Sequence, residues 1–354
     1  MEIHEDLNPI SDFQKQYTAY DVMPTSAKCI VIESGISVYR AYRIMGENRT
    51  SVAYIWDAAK QTLIGVLTTN DIMSAILSLH KCFFGQNKVQ DVQTFMRSVY
   101  PQALQIHENI TILHLLNYVT INSIKSGDNF LHAPPEITLF DALRLLRSHS
   151  VHRLPIIDDG GSVLCSMTYR SLCKFLVGKF RLPSKILQTP VLSLISGDRS
   201  PCVVRPESTL EEVLEQMLAH HLSSIPVVSA ETKEIIEVFS KYDVAALSVT
   251  PENISLSAKV IDLINIRPPQ VEGLSLMPET ATCGDVLKEI ATRNIHRVVM
   301  VDETTRKHIV AVVSLRHILD FISDTIASEK LQPIEQINIH STISACPTDS
   351  DQSI

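Results

Sequence analysis

A chain of 354 residues, 45% hydrophobic and 20% charged with 11 glycines, has the make-up of an ordinary folded protein; it is not that of a disordered or collagen-like one, and its length suits one large domain or two smaller ones. A formal net charge of −8 without a basic stripe argues against a nucleic-acid surface, so any anion site has to be local. The seven scattered cysteines, with no C-x-x-C pair, fit a reducing compartment better than a disulfide framework or thiolate metal site; no stretch approaches the ~18 uninterrupted apolar residues of a spanning helix.

Residues 1–19 are acidic and interrupted by proline, unlike the layout of a signal peptide, and the expected location is cytoplasm or nucleus, with no membrane partner. From residue 20 one unit recurs. In 20–85, Ser37 precedes Val38, Ala41, Tyr42 and Met45, the i, i+3, i+4, i+7 spacing of a capped amphipathic helix. Apolar runs at 52–56 and 63–67, separated by a polar turn, predict two strands, and Thr68 opens a second helix. An insert at 86–129 follows, and its Val89, Leu104 and 113–116 are apolar enough to pack on the body.

The unit returns in 130–182, with Thr138 before Leu139, Ala142, Leu143 and Leu146, and strand-like runs at 154–157 and 163–167. In 187–250, Thr209 precedes Leu210, Val213, Leu214 and Met217, with runs at 225–228 and 235–239. In 258–326, Thr282 precedes Cys283, Val286, Leu287 and Ile290, with runs at 298–301 and 309–313. Residues 327–354 turn to Ser, Thr, Gln, Asp and Pro and are expected to be a disordered tail. Two strands and two helices cannot cover both faces of their own sheet, so the copies are expected to pack in pairs.

Two features could carry chemistry. Thr68 with Asp71 and Ser240 with Asp243 form an S/T-x-x-D pattern, which serves equally as a helix capping box or as a carboxylate placed to accept hydrogen bonds from a ribose diol. His152-Arg153 and His296-Arg297 stand before equivalent strands, either as solvated side chains or as charge-assisted donors to phosphate. No P-loop, G-x-S-x-G, H-E-x-x-H or cysteine-nucleophile setting is present, so no enzyme activity is expected.

The entry segment YDVMPTSAK (20–28), FDAL with VHRLPIID (140–158), SKYDV (240–244) and NIHRVVMVDE (294–303) resemble CBS (cystathionine β-synthase) domains. The four together resemble the γ regulatory subunits of the AMP-activated protein kinase. The resemblance implies an α/β fold of four CBS repeats forming two CBS pairs in a disc, with AMP, ADP or ATP bound between repeats. It also implies a catalytic α kinase subunit and a scaffolding β subunit as partners, and no cofactor or metal. Residue by residue, it implies nucleotide contacts at Thr68, Asp71, His152, Arg153, Thr168, Arg170, Ser223, Ser240, Lys241, Asp243, Arg267, His296, Arg297 and Ser314. The site at Asp243, with Arg153, His296 and Arg297, is the best preserved of these, and the one at Asp71 comes second.

The sequence departs from the family at Ser51 and His221, where phosphate-facing arginines are expected, with Arg49 and His220 nearby. Each lost charged hydrogen bond costs about 1.5–3 kcal/mol if nothing compensates. Repeat four reads Ser314-Leu315-Arg316-His317, which lacks the family's carboxylate and is expected to compromise that site. Repeat two has Ser171 at the aspartate position, where the family also lacks an aspartate. A subunit that keeps the fold and partner surface without useful nucleotide affinity is the alternative function.

Overall fold

The computed structural model describes residues 8–84, 121, 131–149, 151–180, 182, 184–195, 201–249, 255–268, 273–293, 295–305 and 307–327. Chain order begins with helices α1 (Asn8–Gln16) and α2 (Ala19–Val22), then β1 (Val31–Glu33), α3 (Val38–Glu47), β2 (Val52–Asp57), β3 (Thr62–Thr68) and α4 (Thr69–Phe84). The second repeat supplies α5 (Leu139–Ser148), β4 (Arg153–Ile157), β5 (Val163–Thr168) and α6 (Tyr169–Lys179), followed by α7 (Ser184–Gln188) and a 3-10 turn at Val191–Leu194. The third supplies α8 (Leu210–Ala219), β6 (Ser224–Val228), β7 (Ile235–Ser240) and α9 (Lys241–Leu247). After α10 (Val260–Asn265) the fourth has β8 (Leu276–Pro278), α11 (Cys283–Arg293), β9 (Arg297–Val301), β10 (Ile309–Ser314) and α12 (Leu315–Ala327).

The first helix of each repeat starts where its hydroxyl residue can satisfy an otherwise orphaned amide. Ser37, Thr138 and Thr209 accept from the backbone N–H of Arg40, Asp141 and Glu212. The paired strands are antiparallel in every repeat, and β1 and β8 add a parallel entry strand in the first and fourth. In the second and third repeats that strand shrinks to the single bridges Ala133–Ile156 and Val204–Val227.

Register matters for the site, because Val52 lies opposite Thr68, Arg153 opposite Thr168, Ser224 opposite Ser240, and Arg297 opposite Ser314. The start of one strand and the cap of the following helix therefore share one end of each sheet.

Two cores join the repeats crosswise. One unites apolar faces of repeats one and three, including Met45, Leu67, Ile72, Leu214 and Phe239; the other unites repeats two and four, including Leu146, Leu154, Leu287 and Ile318. Repeats three and four meet through their sheets, where Ile235 and Val238 pack with Val299 and Val301. Ile121, from the expected insert, is fully buried in the first core and donates its N–H to Ile36 O at 3.2 Å. Val89, Leu104 and 113–116 lie outside the described residues, as does the expected tail from 328 onward.

The N-terminal segment does not stand apart from the repeats. Phe13 and Tyr17 pack at tilted or edge-on angles against Phe175 and Phe180 of repeat two, and Ala19 enters that repeat's core. Among the described residues no helix is long and apolar enough to cross a membrane.

His221, one of the noted departures, sits just past α8 with φ of 53°, the left-handed region that a Cβ disfavours. It is exposed, so His221→Gly is expected to raise stability by about 0.5–1 kcal/mol in urea melts.

Candidate functional site

Four second helices begin at the same relative place, and their first two residues converge. Thr69-Asn70, Tyr169-Arg170, Lys241-Tyr242 and Leu315-Arg316 all line one cavity of about 580 Å³. The N-terminal ends of α4, α6 and α12 add their positive dipole ends to it. The strand starts described above bring in Arg153 and Arg297, and His152, His296, Thr68, Thr168, Ser223 and Ser314 complete the expected contacts found here.

The lining is one-sided in charge. His152, Arg153, Arg170, Lys241, His296, Arg297 and Arg316 face a space to which the described residues contribute no carboxylate. The mutual field is visible in two groups. Burial, reinforced by Arg297, brings the Lys241 ammonium down to about 8. Burial together with Lys241, Arg316, Arg297 and Arg153 brings His152 to about 4.

Polar atoms are also left over. The Asn70 Oδ1 and the Tyr169 hydroxyl are buried without a hydrogen-bond partner. Burial pushes Tyr54 up to about 12, with the nearby Ser166 opposing, yet neither of those hydroxyls makes a bond of good geometry. Buried groups of this kind are normally satisfied, so a cavity they line is built to hold water or a polar ligand.

Most of the apolar lining comes from the first two repeats. Tyr54, Ile64 and Val66 face Leu131, Val151 and Pro155, a slot for a flat ring. Ser51, where a basic residue was expected, is instead bridged from the neighbouring repeat, since Arg153 Nη2 donates to its Oγ at 2.9 Å. Tyr242 stacks on His296 with centroids 5.4 Å apart. A second cavity of about 960 Å³ shares Arg153, Arg170, Tyr242 and His296 and adds Lys28, Arg49 and Arg293.

Four expected residues stand outside the main cavity: Asp71, Ser240, Asp243 and Arg267. Both Asp71 and Asp243 form the capping box: Asp71 Oδ2 accepts from Thr68 N and Oγ at 2.7 Å, and Asp243 Oδ2 accepts from Ser240 N and Oγ at 2.7 and 2.8 Å. Asp243 goes further, with its side chain only 2% exposed and Oδ1 facing Arg267 Nη1 at 3.5 Å. Arg267 is itself held by Glu237 and by Val238 O. Ser240 and Arg297 border a void of about 10 Å³, too small for a nucleoside.

The Asp243 carboxylate is engaged by its own ion pair, and the open cavity is shared by the starts of all four second helices, that of α9 beside Asp243 included. Arg316, expected to spoil the fourth site, enlarges the basic lining, and His317 replaces the missing aspartate as a cap by accepting from Ser314 N at Nδ1, 3.2 Å away. His220 and His221 do not line the main cavity. Asn70, Tyr169, Tyr242 and Arg316 were not among the expected contacts, and superposing the four helix starts in sequence would have revealed them.

Because His152 is held neutral in the fold, the unfolded chain takes up a proton there first. Its contribution to stability is therefore lost as pH falls from about 6.5 to about 4. His152→Gln is expected to flatten the acid limb of a melting-temperature profile over that window.

A CBS domain family model matches residues 19–78, 123–178, 195–249 and 276–324. Among curated proteins, the chain is 27% identical over 340 residues to a 5'-AMP-activated protein kinase subunit gamma of Dictyostelium discoideum, covering 92% of this chain and 55% of that one. It is 28% identical over 311 residues to the subunit gamma-3 of Sus scrofa, covering 87% of this chain and 56% of the other. The chain thus spans about half the length of these relatives. Its fold matches that of a Methanocaldococcus jannaschii protein, described as a proposed archaeal homologue of the same γ subunit, with a TM-score of 0.60 and 15% identity, over 86% of this chain and 99% of that one.

Proposed function

Because the chain belongs to the CBS domain family, with matches in four places, we propose that it is a non-catalytic regulatory subunit similar to the γ subunits of AMP-activated protein kinase. In this reading it binds AMP, ADP or ATP in the central cavity and couples occupancy to a catalytic α kinase subunit through a complex that includes a scaffolding β subunit. The observation that carries the ligand class is the meeting of an apolar slot with a carboxylate-free basic lining drawn from repeats two, three and four. Charge-assisted donors on one side and a flat apolar cleft on the other suit a nucleotide.

Calorimetric titration tests this. The folded protein, alone or with its partners, is expected to bind at least one adenine nucleotide at micromolar concentration. Lys241→Ala should weaken that binding about tenfold, the size of one lost charged hydrogen bond. Binding should also take up protons near pH 8, since a bound anion raises the lowered Lys241, and two buffers of different ionisation heat would report it.

The second reading, a structural subunit without useful affinity, is favoured by the closed state of Asp243. No binding up to millimolar nucleotide would establish it. Multiple turnover of any nucleotide by the purified chain would overturn the non-catalytic reading.

A further inference from the structure

We infer that the central cavity is matched to a polyphosphate chain, so that it prefers a nucleoside triphosphate to a monophosphate, and that Arg316 discriminates between the two. The inference rests on the nucleotide reading above and specifies the ligand.

Charge balance is the first argument. Arg153, Arg170, Arg297 and Arg316 are permanently cationic, Lys241 is mostly so at neutral pH, and none of the described lining residues is an acid. A terminal monophosphate brings about −2 at neutral pH, and each further phosphate in a chain adds about one more negative charge. A monophosphate carries less than half the charge of those five cations, whereas a triphosphate comes closer to matching it.

The second argument is placement. The apolar slot is made by repeats one and two alone, whereas Lys241 belongs to repeat three and Arg297 and Arg316 to repeat four. With a base in the slot, the phosphates are the groups that carry negative charge to those three cations, and a longer chain brings more oxygens to them.

Arg316 is held ready to receive such a chain. It pairs through Nε with Asp320 Oδ2 at 3.2 Å, and that carboxylate is shared with Arg147, whose Nε lies 3.3 Å from Oδ1. Asp320 therefore orients Arg316 without neutralising it fully. The two Nη groups of a guanidinium held this way form the fork that grips phosphate oxygens.

The test is calorimetric titration of the full chain and of its Arg316→Ser and Arg316→Lys variants with ATP, AMP and sodium tripolyphosphate, with thermal melts to show that each is folded. ATP is expected to bind about tenfold or more tighter than AMP. Arg316→Ser should weaken ATP and tripolyphosphate about tenfold while changing AMP less than about twofold, and Arg316→Lys should fall between. AMP binding as tightly as ATP, or an equal loss for both in Arg316→Ser, overturns the inference. Tripolyphosphate binding that depends on Arg316 and gains nothing from an adenosine group would uphold the polyphosphate site and sink the nucleotide reading. Binding of none of the three sinks both.

Discussion

Replacing Arg267 by methionine is expected to cost the fold about 3–5 kcal/mol at neutral pH, the penalty for leaving a buried charge without its partner. Arg267 is the cation beside a side chain that is 2% exposed, Asp243, and it also pairs with the half-buried Glu237. Methionine keeps much of the apolar stem but strands both carboxylates.

The loss should shrink in acid, and its sign can be worked out. Burial holds the Asp243 carboxyl above the usual carboxylate range, against the opposing pull of Ser240 and Arg267. The folded form thus keeps a proton at pH values where the unfolded chain has lost it, so stability falls as pH rises through the folded pKa. Removing Arg267 moves that window upward. Urea unfolding of Arg267→Met should therefore show a smaller deficit at pH 5.5 than at pH 7.5, and adding Asp243→Asn should recover a large part of it. An equal deficit at both pH values would mean that Asp243 is not the group left uncompensated.

This ion pair marks where sequence reasoning reached its limit. The S-x-x-D pattern at Ser240 and Asp243 was legible as a helix start or a ribose acceptor, and both readings use the same local backbone. Only the position of Arg267, far along the chain, decides that the carboxylate is occupied. The four capped helices and their strand pairs were visible because Ser37, Thr138, Thr209 and Thr282 each precede a 3.6-residue apolar repeat, a local signal. The short entry strands β1 and β8 and helix α1 were not anticipated, since they draw their order from contacts outside their own sequence. Phe13, for example, is held against Phe175 and Phe180.

The same distinction explains the basic residues. His152-Arg153 and His296-Arg297 stood out because they recur at the same place in the unit, and they meet at the cavity because register puts those strand starts at one end of their sheets. Ser51 read as a lost contact. The structure shows it accepting from Arg153 of the next repeat, an inter-repeat relation that a comparison position by position does not contain.

Gly46→Ala is expected to be the most damaging glycine-to-alanine change among the described residues. A Cβ at this position would stand 1.8 Å from Ser248 Oγ and 2.6 Å from the Ala245 carbonyl oxygen, where helix α3 of repeat one crosses α9 of repeat three. Rotating Ser248 could relieve the first clash at the expense of its bond to Ala245 O, 2.7 Å away, but the carbonyl belongs to the backbone and cannot swing aside. The helices have to part, and that strains the buried bond that Tyr42 on α3 donates to Val244 O. Overpacking of this kind costs about 1–3 kcal/mol, and we expect the upper end because a buried hydrogen bond is lost with it.

The consequence reaches the cavity. Helix α9 begins with Lys241 and Tyr242, both of which line it, so a shift of α9 should weaken nucleotide binding even in the fraction that stays folded. Gly178 gives the internal comparison, since a methyl group added to it, on an exposed stretch of α6, would meet nothing within 4 Å. Gly178→Ala should be neutral or gain up to about 1 kcal/mol from helix propensity alone. If denaturant melts show Gly46→Ala to be as stable as Gly178→Ala, the two helices are not pressed together at that crossing. A deficit confined to Gly46→Ala, together with weaker binding, would tie the packing of repeats one and three to the shape of the basic centre.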